Sequence, residues 1–177
     1  MYGYRRKDEQ AKELLIKTFS SELIRFYYGR DLIGNEIGAA AKNVIGIAAG
    51  MLDGIGLSTL KGVLMSRGTR EVGRLIVAMG GHEISVYGLC HLGDYQATVF
   101  SRFSHNRSFG EAFIKKEKYD DLAEGYYTVK AIMLLKERYN VDMPICQAVY
   151  DMLYKGADAA ETLATLFERR TTEEFYK

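Results

Sequence analysis

The hydrophobic positions of this chain recur three and four residues apart, which is the spacing of α-helices, far more often than they alternate as in β-strands. The pattern therefore predicts an all-α domain. Its single proline, Pro144, is compatible with the first turn of a helix. The predicted helices are residues 8–19, 31–52, 60–79, 84–89, 93–102, 109–115, 125–138, 144–155 and 157–169.

Residues 1–30 have a different pattern from the rest of the chain. An amphipathic helix is followed at residues 23–28 by LIRFYY, an aromatic and β-branched run typical of a strand. A helix and a lone strand cannot form a sheet by themselves, so this segment is predicted to be the end of an α/β unit whose remainder is absent. The predicted domain organisation is thus residues 1–30 and residues 31–177.

Composition limits the classes of function. With 177 residues and 47% hydrophobic content, the chain is long enough to bury a substantial core. Lysine plus arginine total 24 against 23 for aspartate plus glutamate, so no excess of positive charge indicates a nucleic acid or anionic membrane partner. The apolar run at residues 37–52 is interrupted by Lys42 and Asn43 and is too short for a membrane span.

The cysteines and histidines do not have the spacing of metal ligands, so no metal is expected. Both cysteines lie in apolar surroundings, and the first residues lack the apolar core of a secretory signal. These two observations predict a cytoplasmic protein. The residues concerned are Cys90, Cys146, His82, His91 and His105.

Lys42 lies in GNEIGAAAKNVIGIAAG, a helix of small residues with Gly38 and Gly46 one turn before and one turn after it. These glycines share a face with the lysine and supply no side chain to cover or pair its ammonium. A reactive lysine is one interpretation. The alternatives are that the small residues let another helix pack closely, or that the lysine is merely solvated.

The segment from residue 91 to 111 holds most of the other polar candidates. Asp94 and Thr98 are four residues apart and would present a carboxylate and a hydroxyl to a polyol. The run 104–107, Ser-His-Asn-Arg, precedes a predicted helix, whose first N–H groups together with Arg107 would form a phosphate cradle. Ordinary helix capping is the alternative for this run. The motif AEG at residues 123–125 is equally compatible with a capped loop.

Over nearly its whole length the chain resembles the C-terminal half of the NAD(P)-dependent glycerol-3-phosphate dehydrogenases. The resemblance follows the order and spacing of GNEIGAAAKNVIGIAAGMLDGIG, SRG, HLGD, SHNRSFG, AEG and VDMPI. It implies a multi-helical domain similar to the C-terminal domain of 6-phosphogluconate dehydrogenase, with residues 1–30 as the last helix and strand of a Rossmann domain. No G-x-G-x-x-G motif follows a strand in this chain, so NAD or NADP would be bound mainly by that other domain.

The resemblance also implies roles for individual residues. Lys42 matches the catalytic lysine, which would stabilise and protonate the oxygen of dihydroxyacetone phosphate during hydride transfer. The resemblance and the spacing of the polar residues together predict the substrate-binding residues, which are Lys42, Asn43, Asp94, Thr98, Ser104, His105, Asn106 and Arg107. The implied cofactor contacts are His105, Leu122 and Glu124.

The chain departs from the family at one position with chemical consequences. His105 stands where the family usually has an arginine, replacing a permanent bidentate cation with a group that is mostly neutral near pH 7. Phosphate binding would then strengthen as His105 takes up a proton, or Arg102 or Arg107 would compensate.

The predicted partners are sn-glycerol 3-phosphate or dihydroxyacetone phosphate, and a Rossmann domain in cis or in trans, without which no turnover is expected. Apolar surface left by that missing domain would favour a homodimer. The alternative function is a non-catalytic module, derived from the same domain, that binds a phosphorylated metabolite or dimerises.

Overall fold

Seven α-helices make up most of the described part of the chain. The computed structural model describes residues 7–27 and 29–167. The helices are α1 (Lys7–Phe19), α2 (Leu32–Gly54), α3 (Lys61–Ala78), α4 (His105–Lys115), α5 (Glu124–Tyr139), α6 (Pro144–Lys155) and α7 (Ala159–Phe167). The all-α prediction is confirmed, and the predicted bounds of α6 agree with those observed. The predicted end of the last helix, at residue 169, lies outside the described residues.

The connections between helices contain short helical turns of other types. Ser58–Leu60, Glu83–Tyr87 and Leu92–Asp94 are 3₁₀ turns, and Gln96–Phe100 is a π-helical turn. In place of the predicted helix at 93–102, the chain therefore forms a 3₁₀ turn followed by a π-helical turn, joined at Tyr95. Helix α4 begins four residues earlier than predicted because Ser104 caps it, its hydroxyl accepting from the Arg107 N–H at 3.3 Å.

The chain divides into two compact units, residues 1–30 and 31–177. In the first unit, the predicted strand at 23–28 is wrong for residues 23–27, which are irregular; Tyr28 lies outside the described residues. The side chain of Leu23 is 95% exposed, and Ser21 and Ile24 exchange backbone hydrogen bonds of 3.1 and 3.3 Å in a local turn. An extended run needs a neighbouring strand to pair its backbone groups, and within the described part of the chain none is present.

Helix α2 is the centre of the second unit. Residues 44–52 of this helix are all buried, and helices α3, α4, α5 and α6 pack around it. Asp31 caps its start, accepting from the Gly34 N–H at 2.9 Å, and also accepts from the His82 N–H at 2.8 Å and the Ser85 hydroxyl at 2.6 Å. Among the described residues, no helix is both long and apolar enough to cross a membrane.

Glycines on α2 and α4 allow the two helices to meet backbone to backbone. A Cβ placed on Gly50 would collide with the carbonyl oxygen of Arg107, and one placed on Gly110 with that of Ile47. Further along α2, a Cβ on Gly54 would lie 2.7 Å from the Cβ of Ile114. Close packing, the structural alternative raised for the small residues, is therefore what they provide at these positions.

Glu71 ties α3 to the start of α6. Its buried carboxylate accepts from the N–H groups of Ile145 and Cys146, both at 2.8 Å, and so caps a helix that has no capping side chain of its own. Burial raises the pKa of Glu71 to about 6, although the two backbone hydrogen bonds oppose this rise. The Glu71 carboxylate thus fixes the start of α6 against α3.

We expect Gly110→Ala to destabilise the protein, because the added methyl group meets backbone atoms that cannot rotate away. The loss in the free energy of unfolding should be about 2 kcal/mol or more, as for other overpacked interiors. Urea unfolding followed by circular dichroism measures it. Gly62→Ala is the matched control, since Gly62 also lies in a helix but has no atoms within 4 Å of an added Cβ. Equal stability of the two variants would contradict the close α2–α4 contact.

Candidate active site

The ammonium of Lys42 forms an ion pair with the carboxylate of Asp94. The two side chains are 22% and 35% exposed, so the pair is accessible to a small molecule. Neither Gly38 nor Gly46 can pair with this ammonium, and a residue far along the chain supplies its partner. The geometry agrees with a carboxylate that orients the lysine.

His91 and Tyr95 anchor the segment that carries Asp94. Both side chains are fully buried. The Nδ1–H of His91 donates to the carbonyl oxygen of Gly38 at 2.8 Å, and Nε2 accepts from the Tyr95 hydroxyl at 2.6 Å. The two rings meet edge to face with centroids 4.8 Å apart. A neutral imidazole suits this arrangement, because its Nε2 lone pair accepts the phenol proton.

Burial governs the titration of both groups. It lowers the pKa of His91 to about 4, helped by the charge of Lys42 and opposed by the Gly38 carbonyl. It also raises the pKa of the Tyr95 phenol well above its ordinary value. Sequence reasoning missed this pair; the only signal was the four-residue spacing of a histidine and a tyrosine around the aspartate.

Gly46, one turn after Lys42, leaves room for two further candidates. A Cβ on Gly46 would lie 2.9 Å from the Thr98 methyl carbon and 3.3 Å from the Cβ of Asn106. Thr98 and Asn106 are 6% and 9% exposed. The amide oxygen of Asn106 accepts from the Gly125 N–H at 2.8 Å, so this predicted substrate contact also caps the start of α5.

Asn43 connects the same turn of α2 to the start of α5. Its side-chain amide donates to the carboxylate of Glu124 at 3.2 Å. A Cβ on Gly125 would lie 2.6 Å from the Asn43 carbonyl oxygen, so the two helices also touch here. Glu124 therefore lies beside the Lys42 turn, and Leu122 precedes it with 65% of its side chain exposed.

His105 is the exposed residue at the start of α4, with 63% of its side chain exposed. The Tyr119 hydroxyl donates to the His105 carbonyl oxygen at 3.0 Å and lies 3.2 Å from Nδ1. The Asp121 carboxylate lies 3.8 Å from the same nitrogen. The first-turn N–H groups of α4 have no acceptor within the helix, as at any helix start.

Arg107 points away from the start of α4. Its guanidinium is paired with Asp53 at 2.5 Å and Glu111 at 2.9 Å, and its Nε–H donates to the Ser101 carbonyl at 3.1 Å. These contacts give Arg107 a structural role, and its part in phosphate binding stays a prediction. Arg102, the other proposed compensating cation, stacks over the Phe103 ring at 4.9 Å.

Asp53 is the hub of a buried ionic cluster at the end of α2. Besides Arg107, it pairs with Lys61 at 2.6 Å and accepts from the Ser58 hydroxyl at 2.6 Å. Burial alone would raise the pKa of Asp53, but hydrogen bonds from Lys61, Ser58 and Arg107 outweigh this effect and hold it below its usual range. Lys61 also donates to the Val99 carbonyl at 3.2 Å, which fixes the segment leading to α4.

The structure thus brings Lys42, Asn43, Asp94, Thr98, Asn106 and Glu124 around one turn of α2. Within residues 7–27 and 29–167, no group of three or more histidine, cysteine, aspartate or glutamate side chains could hold a metal ion. A paired but accessible ammonium can stabilise negative charge on a substrate oxygen and exchange a proton with it.

Comparison with known proteins identifies relatives of this chain. Residues 31–164 match the family model for the C-terminus of NAD-dependent glycerol-3-phosphate dehydrogenase. The glycerol-3-phosphate dehydrogenase [NAD(P)+] of Chlorobium limicola is 39% identical over 90% of this chain and 50% of its own length. That of a Thermotoga species is 38% identical over 95% and 54%. The chain spans about half the length of these curated relatives.

A solved structure has the same fold. The crystal structure of glycerol-3-phosphate dehydrogenase from Coxiella burnetii superposes with a TM-score of 0.84 at 31% identity, covering 91% of this chain and 52% of that one. The predicted resemblance is confirmed. These comparisons leave the assignment of individual site residues as predictions.

The buried imidazole of His91 should make folding sensitive to acid. An unfolded chain restores the ordinary histidine pKa of 6.5, whereas the folded chain holds it at about 4, so the unfolded chain binds the proton more tightly between these values. The stability contributed by the neutral ring is complete above pH 6.5 and is lost as the pH falls towards 4.

We expect the free energy of unfolding to fall more between pH 7 and pH 5 in the wild type than in His91→Asn, by about 2 kcal/mol. Urea titrations at both pH values measure this difference. Other titrating groups occur in both proteins and cancel in the comparison. Equal falls would show that His91 is not held neutral.

Proposed function

The chain belongs to the family of NAD-dependent glycerol-3-phosphate dehydrogenases, whose C-terminal part it matches. On that premise we propose that residues 31–177 are the substrate-binding and catalytic part of an enzyme that interconverts sn-glycerol 3-phosphate and dihydroxyacetone phosphate. Residues 1–30 would be the end of its dinucleotide-binding domain. The observation that carries the proposal is the accessible Lys42–Asp94 pair, one turn before Gly46, which meets Asn106 of α4.

Lys42 is the proposed acid and base. When the substrate ketone is reduced, negative charge develops on its oxygen, and the ammonium of Lys42 stabilises this charge and donates the proton that makes the alcohol. In the opposite direction the neutral amine accepts that proton. Asp94 holds the amine in one orientation in both directions. The Thr98 and Asn106 side chains lie beside Gly46, one turn along α2, and their hydroxyl and amide groups would contact the substrate.

The dinucleotide would touch this chain beside Asn43. The exposed Leu122 side chain would provide an apolar contact with the dinucleotide. The Glu124 carboxylate, which accepts from the Asn43 amide at 3.2 Å, would provide a polar contact. His105 is the third proposed contact. When bound, NAD(P) supplies or accepts the hydride. We propose that a Rossmann domain, in cis or in trans, provides most of its binding site, because this chain has no G-x-G-x-x-G motif after a strand.

The start of α4 is the proposed phosphate site. Ser104 caps the helix, and the first-turn N–H groups favour an anion. Because the Tyr119 hydroxyl donates to the His105 carbonyl, its oxygen accepts from Nδ1–H. Neutral His105 then turns the lone pair of Nε2 outward, whereas protonated His105 adds an N–H and a positive charge there.

A non-catalytic module is the less favoured function. A binding module has no need for an accessible lysine oriented by a carboxylate, and the relatives carry the name of a dehydrogenase.

We further propose a cytoplasmic location, because both cysteines, Cys90 and Cys146, are free thiols. A homodimer remains part of the proposal, and light scattering tests it.

We expect His105→Arg to bind sn-glycerol 3-phosphate about fivefold to tenfold more tightly than the wild type, because arginine is a permanent cation that gives the phosphate a charge-assisted, bidentate hydrogen bond. Calorimetric titration measures the affinity. His105→Gln is the control, since it changes the same exposed side chain without adding a charge and should not bind more tightly. Equal affinities of His105→Arg and His105→Gln would exclude position 105 from the phosphate site.

We expect Lys42→Ala to lower kcat by about 10³-fold, within the range for a lost proton donor and charge stabiliser, with a smaller change in KM. The assay follows NAD(P)H absorbance with the dinucleotide-binding part supplied in cis or in trans. Lys155→Ala is the control, because Lys155 is also paired with a carboxylate, Asp151 at 2.9 Å, but lies on α6. Unchanged kcat in Lys42→Ala would refute the catalytic role.

A further inference from the structure

The segment from His91 to Tyr95 contacts α2 at two successive turns. The His91 ring binds the carbonyl oxygen of Gly38, and the Asp94 carboxylate binds the ammonium of Lys42, one turn later on the same face. In an α-helix the Gly38 carbonyl also accepts the backbone N–H of the residue four positions on, which is Lys42. The imidazole therefore contacts the same backbone group that holds the lysine in its turn.

The position of His91 is fixed on all sides. Both ring nitrogens are hydrogen bonded, to the Gly38 carbonyl and the Tyr95 hydroxyl, and the side chain is fully buried. A Cβ on Gly38 would lie only 3.2 Å from the Cβ of His91, so the absence of a side chain there lets the histidine approach the helix. Few alternative rotamers are open to a ring held in this way.

Asp94 depends on this anchor because its own element is short. It ends a three-residue 3₁₀ turn, Leu92–Asp94, that has no side-chain cap, and its side chain is 35% exposed. A single turn of 3₁₀ helix has little stability alone. Asp94 lies between two anchored residues, His91 and Tyr95, which are joined to each other by the 2.6 Å hydrogen bond.

We propose that His91, supported by Tyr95, is a positioning residue that holds the Asp94 carboxylate against the Lys42 ammonium. His91 touches neither the proposed substrate nor the reacting atoms; it acts through Asp94. The pairing itself is independent of the reaction, whereas its catalytic meaning rests on the function proposed for Lys42. Loss of the ring contacts would let the 92–94 turn move and leave the ammonium without its partner.

The test measures the reactivity of the Lys42 amine in the whole chain. A limited amount of acetic anhydride is added, and the rate of acetylation at Lys42 is followed by peptide mass spectrometry, with Lys155 as an internal reference. An ammonium held against a carboxylate reacts more slowly than a released one, because the carboxylate covers one side of the nitrogen and restricts the approach of the reagent. Asp94→Asn, which removes the pairing charge, sets the rate of the released amine.

We expect His91→Phe, which keeps the ring volume but makes neither hydrogen bond, to react about threefold to tenfold faster than the wild type, close to the Asp94→Asn rate. His91→Asn retains a donor for the Gly38 carbonyl and should fall between them, as should Tyr95→Phe. Leu163→Ala controls for general loss of stability, because Leu163 is buried on α7, which packs on α6, and it should react like the wild type.

Two results would overturn the proposal. A wild-type rate in folded His91→Phe and Tyr95→Phe, with a raised rate in Asp94→Asn, would show that Asp94 holds its position without them. A wild-type rate in Asp94→Asn would show that the pair does not protect the amine. Neither result depends on substrate, so failure of the proposed function appears separately, as an absence of sn-glycerol 3-phosphate binding in the calorimetric titration.

Discussion

The arrangement of the domain depends on one steric constraint, the direct contact between the backbones of α2 and α4. Gly50 and Gly110 leave no room for a Cβ at this contact, since an added atom would collide with a carbonyl of the other helix. The same approach places Asn106, in the first turn of α4, beside Gly46, one turn after Lys42. The glycines that cost α2 helical propensity thus contribute the geometry of the site.

Charged groups in the domain are arranged in two different ways. At the end of α2, Asp53 satisfies two cations and a hydroxyl in a buried cluster, which suits a fixed structural joint. At the Lys42 turn a single carboxylate faces a single ammonium, and both remain partly exposed. The second arrangement leaves donor capacity for a ligand, and the neutral His91 behind it adds no competing charge.

The sequence predicted the helical character of the chain because hydrophobic periodicity is a local property, and it placed α6 within its observed bounds because Pro144 and Gly156 mark both ends. Features set by distant partners could not be read from local spacing. The helix around Lys42 contains no side chain to pair with it because its carboxylate lies on another segment. The partner of Arg107, Asp53, is equally remote, and the phosphate role of Arg107 stays a prediction. The run at 23–28 has strand composition, but residues 23–27 have no neighbouring strand within the described residues.

The packing of α2 against α4 also has a consequence for how the domain folds. Gly50 and the Arg107 carbonyl that it meets are more than fifty residues apart in the chain, with α3 and four short turns between them. Forming this contact requires closure of a long loop, and contacts of high sequence separation slow folding. A chain in which only α2 and α3 have paired contains Lys42 but has not yet brought Asn106 to its turn. The candidate site is therefore a property of the completed fold, and it would be lost in partial unfolding that detaches α4 while the other helices persist.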